Sequence, residues 1–95
     1  MKVAVLKKQM QPICVEEDIE MLGVFGSVAR GEDDAGSAAD LLVRFKNPVG
    51  LMQLIGLEQR IEGVLGRQVD VGTEARLHPL IKDRVKKDLM IIYEG

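Results

Sequence analysis

Apolar positions along this chain fall into two rhythms, one of three to four residues and one of short continuous runs. Val3, Leu6, Met10 and Ile13 recur at spacings of three and four, with Lys7, Lys8 and Gln11 between them, which predicts an amphipathic helix over residues 3–16. Pro12 would remove one hydrogen bond from its interior, so a kink or restart is expected there. Glu16-Glu17-Asp18 reads as a solvated acidic connection. Ile19 to Phe25 is an apolar run stopped by Gly26, the pattern of a first strand. Ser27 to Arg30 is expected to open a short helix, followed by a polar loop at residues 32–36. Leu41 to Phe45 predicts a second strand whose unbroken apolar start suggests burial on both faces. Leu51, Leu54, Ile55, Ile61 and Leu65 form a helical stripe, and Gly66 stands where a left-handed cap belongs. Val69-Asp70-Val71 predicts a third strand in which alternation sets Asp70 on the face opposite its valines. After a loop from Thr73 to His78, Pro79 begins a helix to about Asp88, and Met90 to Tyr93 form a last strand.

Strands interleaved with helices predict an α/β (α+β) architecture, with a sheet and helices packed on one side. The pattern leaves strand order open. With 95 residues, one domain spanning 1–95 is expected. A hydrophobic share of 46% beside 29% charged residues fits a globular protein, and the low aromatic content (two Phe, one Tyr, no Trp) requires an aliphatic core. A net charge of −2 and no basic run longer than Lys86-Lys87 argue against nucleic-acid binding through phosphate neutralisation. Cys14 is the single cysteine, so it forms no internal disulfide; it reads as a small buried hydrophobe, and a cytoplasmic location is expected. No apolar stretch approaches the ~20 residues of a membrane span, and no signal-peptide core is seen at the start. His78 reads as a helix-entry residue, and Lys82, Arg84, Lys86 and Lys87 as a solvated helix face.

The candidate chemistry lies in Gly26-Ser27-Val28-Ala29-Arg30-Gly31 and, a few residues on, Ser37-Ala38-Ala39-Asp40. Backbone N–H groups exposed where a strand turns, with a hydroxyl beside them, suit a phosphate. A carboxylate on a following strand can hold a divalent cation against that phosphate. Together the two runs resemble the signature of the DNA polymerase beta-like nucleotidyltransferase superfamily, in particular its minimal nucleotidyltransferases. Those carry Gly-Ser-x-Ala-Arg-Gly, about five residues, and then Ser-Asp-x-Asp. The resemblance covers nearly the whole chain and implies a mixed sheet of the polymerase beta-like fold. It implies that Gly26 and Ser27 hold the phosphates of a nucleoside triphosphate, ATP, and that Arg30 neutralises charge or braces the loop. It further implies that Asp40 and Asp70 are the catalytic carboxylates and ligate Mg²⁺.

One position departs from the family pattern, since the first Asp of the pair is Ala38 here. Either the site has lost a metal carboxylate and is weak or inactive while still binding nucleotide, or Glu32, Asp33 or Asp34 substitutes from the loop. Entropy favours the first reading, because a loop side chain is held less rigidly than one on a strand. The resemblance implies transfer of a nucleoside monophosphate to a hydroxyl on a partner, an all-helical HEPN toxin, with this chain as the antitoxin. The alternative is an inactive antitoxin that neutralises its partner by complex formation alone. With no room for a substrate-binding domain, the acceptor surface is expected from a partner or another subunit, and a homo-oligomer stays open.

Overall fold

The computed structural model describes residues 2–32, 36 and 38–95. Helix α1 (Val3–Glu16) leads into strand β1 (Ile19–Phe25), which is followed by β2 (Ala39–Phe45), α2 (Leu51–Leu65), β3 (Val69–Thr73), α3 (Pro79–Asp88) and β4 (Met90–Glu94). A short 3₁₀ turn, Glu74–Arg76, lies between β3 and α3. The sheet runs β3-β2-β1-β4. β1 pairs antiparallel with β2 and β4, whereas β2 and β3 are parallel. Parallel neighbours need a crossover, and α2 supplies it. The α+β class is thus as the pattern predicts, and the mixed sheet is as the resemblance implies.

Alternation along β2 divides the sheet into two faces. Ala39, Leu41 and Val43 join Leu22, Val24, Val69 and Val71 in one cluster with Leu6, Met10 and Ile13 of α1 and Leu54, Leu57 and Ile61 of α2. The second face carries a smaller cluster, Met21, Leu42 and Val85, with Phe25, Leu77 and Leu89 against it. The expectation of helices on one side therefore holds for α1 and α2 and is corrected for α3, which contributes Val85 to the opposite face. The sequence of α3 explains the misreading, because Val85 is its one buried residue and its stripe is too thin to announce a side.

Of the kink or restart expected at Pro12 the restart is ruled out, and two further expectations change on contact with the fold. Helix α1 runs through Pro12 without a restart. Pro12 and Lys8 are both exposed, so the carbonyl that loses its donor faces water. Glu16 and Glu17 are more than a solvated connection, since both accept hydrogen bonds from Arg60 and tie α1 to α2. No regular helix follows Ser27. Residues 26–31 make one turn, in which Arg30 N–H donates to the Gly26 carbonyl at 3.1 Å. The turn closes at once by a Schellman pattern: Glu32 N–H to the Ser27 carbonyl at 2.8 Å and Gly31 N–H to the Val28 carbonyl at 3.1 Å. Gly31 sits at φ 72, the left-handed geometry that this closure requires.

Other readings hold. Gly66 caps α2 in the left-handed region, and His78 caps α3, its Nδ1 accepting from Leu80 N–H at 3.1 Å. Cys14 is fully buried, and burial pushes its thiol up to about 11. No described helix is long and apolar enough to cross a membrane.

Because Ile61 is completely buried between α2 and the sheet, Ile61→Ala should cost ~2–5 kcal/mol of unfolding free energy. Leu51, which is 52% exposed on the same helix, should cost less than about 1 kcal/mol on the same change. Urea denaturation of the two variants checks the assignment of the buried face.

Candidate active site

The second face of the sheet is where the expected site residues meet. In the parallel ladder Asp40 stands abreast of Asp70, so their Cα atoms occupy neighbouring strands ~4.8 Å apart. Val69 and Val71 are buried and Asp70 is exposed between them, as alternation requires. Asp40 belongs to the strand proper, with Ala39 and Leu41 buried on either side. Across the other ladder Asp40 is partnered with Phe25, and the next residue is Gly26. That glycine has φ 73, and a Cβ built on it would lie 2.7 Å from Asp40 Oδ2. Only a residue without a side chain lets the turn close over this carboxylate.

Electrostatics follow from the crowding. Desolvation first, and then the neighbouring Asp70 charge, raise the Asp40 pKa above its ordinary 3.8, while Arg30 pulls it down. Arg30 thus lies within electrostatic reach of the carboxylate, although its own hydrogen bonds go elsewhere. Its Nε donates to Glu32 at 3.0 Å and its Nη1 to Asp88, the last residue of α3, at 2.5 Å. Ser27 is half-buried beside Gly26 and makes no side-chain hydrogen bond among the described residues.

Sequence reasoning missed Asp88, which no local pattern could have offered because it lies 58 residues from Arg30. It also missed the role of Glu32, which is turned to Arg30. Ala38 immediately precedes β2 and is half-buried. Asp33, Asp34 and Ser37 lie outside the described residues. A cleft of about 330 Å³ opens further along the same face, floored by Met21, Leu42, Val85 and Leu89.

The nucleotidyltransferase domain family matches residues 7–92. This chain belongs to that family. A protein of Methanocaldococcus jannaschii named as a protein adenylyltransferase is 38% identical over 85 residues, covering 90% of this chain and 91% of its own length. A structure described as that of a minimal nucleotidyltransferase is 32% identical, with TM-score 0.79 and 95% of each chain covered. The same fold occurs in the complex of a tri-AMPylated Shewanella oneidensis HEPN toxin with its MNT antitoxin. There the TM-score is 0.75 at 11% identity, with 99% of this chain and 74% of that chain covered.

Members of this family use a nucleotide and a divalent metal. Two abreast carboxylates, one of them destabilised by its neighbour's charge, fit one cation, which would relieve their repulsion. Among the described residues no group of three or more His, Cys, Asp or Glu side chains is placed to hold a metal.

The raised pKa of Asp40 has a consequence for stability. Ionising this group costs folding free energy, and the cost is absent below about pH 3.8, the ordinary value, and complete above the folded-state pKa. Asp40→Asn should therefore stabilise the metal-free protein at neutral pH, modestly given the group's partial exposure. The gain should vanish as pH falls through the carboxylate range. Thermal melts of the two proteins from pH 3 to pH 8 in EDTA check both sign and window.

Proposed function

We propose that this domain binds ATP with Mg²⁺ at Gly26, Ser27, Arg30, Asp40 and Asp70. We propose further that it transfers AMP to a hydroxyl of a HEPN-type partner protein, at a rate held down by Ala38. The placement of Asp40 against Gly26 and abreast of Asp70 carries this reading. The amides of turn 26–31 other than those of Arg30 and Gly31, which bond within the turn, and the Ser27 hydroxyl would take the β- and γ-phosphates, a role that rests on these donors because the turn is too short to add much of a helix dipole. Arg30 would add positive charge once a phosphate competes with Glu32 and Asp88 for its guanidinium. Asp40 and Asp70 would hold Mg²⁺, which when bound neutralises charge on the transferring phosphoryl group. In the transfer itself the acceptor oxygen bonds to the α-phosphorus and gives up its proton to solvent, the bond to the β-phosphate oxygen breaks, and pyrophosphate leaves. Adenylyl transfer and a HEPN partner are supported by the named relative and by the toxin complex that shares the fold.

A second reading is favoured by the short-handed metal site: an antitoxin that neutralises its partner by complex formation alone. Both readings suit one domain acting in the cytoplasm, where the lone thiol of Cys14 would stay reduced.

ATP with Mg²⁺ should raise the melting temperature, since a ligand at a hundred times its dissociation constant stabilises by ~2.7 kcal/mol. Ser27→Ala should weaken that shift.

Ala38→Asp separates the two readings. Position 38 is two residues before Asp40, and a carboxylate there would complete a three-acid set. Loss of several kcal/mol of transition-state stabilisation slows a reaction by a factor on the order of 10³. Transfer of label from α-³²P-ATP to the copurified partner should rise by about that factor in Ala38→Asp and disappear when Asp40→Asn is added. Equal, robust transfer by the natural chain and by Ala38→Asp would sink the idea of an incomplete site.

A further inference from the structure

The two edges of the sheet are finished differently. Strand β3 forms one edge, and α2 covers its backbone. Glu62 accepts from Val69 N–H at 3.4 Å and Glu58 from Val71 N–H at 3.2 Å, so two donors of this edge are already engaged. Strand β4 forms the other edge, and among the described residues no side chain caps its backbone. Met90 and Ile91 are 41% and 44% exposed on it. An edge strand with open backbone groups and large apolar side chains is a template for strand addition, and proteins that avoid such addition place charges or proline there. Met90-Ile91-Ile92-Tyr93 has neither, the one charge on the strand being Glu94 at its end.

Charge at the ends of this strand indicates the occupant. Lys86 and Lys87, in the last turn of α3, lie just before β4, and Glu94 ends it; all three are exposed. Two copies joined edge to edge about a two-fold axis run antiparallel, so Lys86 and Lys87 of each copy face Glu94 of the other, Asp88 at the lysine end being held by Arg30 of its own copy. A parallel arrangement would bring like charges together. We propose that β4 is a homodimerisation edge, at which a second copy of this chain pairs antiparallel to extend the sheet to eight strands across the interface. The interface is isologous, as two-fold symmetry requires. Strand β1 separates it from Asp40 on β2, and β1 with β2 from Asp70 on β3. The test of the proposal, association of the chain alone, needs no nucleotide, although Asp88, two residues before β4, pairs with Arg30.

Sedimentation equilibrium of the purified chain at low salt tests it. A five-residue pairing is small beside stable interfaces, so a dimer with Kd on the order of 10 µM is expected. Ile91→Lys should raise that Kd at least about tenfold by setting like charges across the pair. Lys86→Glu with Lys87→Glu, and separately Glu94→Lys, should each weaken association about fivefold or more, and combining all three should return it to near the starting value. A chain that remains monomeric to about 500 µM, well above the Kd expected for so small an interface, overturns the proposal. So does a dimer that tolerates Ile91→Lys, or charge reversals that do not compensate each other. If Ile91→Lys fails to fold by circular dichroism, the surface reversals decide alone, since they change exposed positions only.

Discussion

Strand β2 is required to do two incompatible things, and the rest of the molecule is arranged around that requirement. One face buries Ala39, Leu41 and Val43 almost completely. The other begins with a carboxylate set against a turn and beside a second carboxylate. Like charges abreast in a ladder work against pairing. Register holds nonetheless, because sliding β2 by one residue would send Asp40 into the aliphatic core and bring Ala39, Leu41 and Val43 out of it. The apolar face thus enforces a charge arrangement that the strands would not choose. The same lock keeps Gly26 beside Asp40, since Phe25 is held opposite that residue.

Much of this was legible in the sequence, because the elements that bury a full stripe declare themselves. The bounds of α2 with its Gly66 cap, and Asp70 between two valines, are as expected, but within the α2 stripe Leu51 and Ile55 are exposed and Leu57, which it left out, is buried. The short element after Ser27 was misread because its two glycines both favour special backbone angles, and sequence alone does not show that the second ends the turn at its first opportunity. The side on which α3 packs was hidden for a different reason. One buried valine gives no periodicity, and its placement depends on the shape of the sheet. Contacts across long separations, such as Arg30 with Asp88 and Arg60 with Glu16 and Glu17, have no local signature at all.

The two faces also differ in how firmly they are held. Helices α1 and α2 each set three or more fully or nearly buried side chains into the main core. Helix α3 is fixed by Val85, by its link to β4 and by the Arg30–Asp88 pair. Few buried contacts imply a low local cost of opening. Of the three helices, the one that restrains Arg30 is therefore the one held by the fewest buried side chains.

Cys14 gives this molecule a property unrelated to its chemistry. The sulfur is sealed between α1 and the sheet, and its thiol is held near 11. Only the thiolate reacts appreciably with alkylating reagents or peroxide. While the helix stays seated, then, neither reagent finds a target. Each modification event records a moment when α1 has lifted away, so the lone sulfur is an internal clock for the opening of the core.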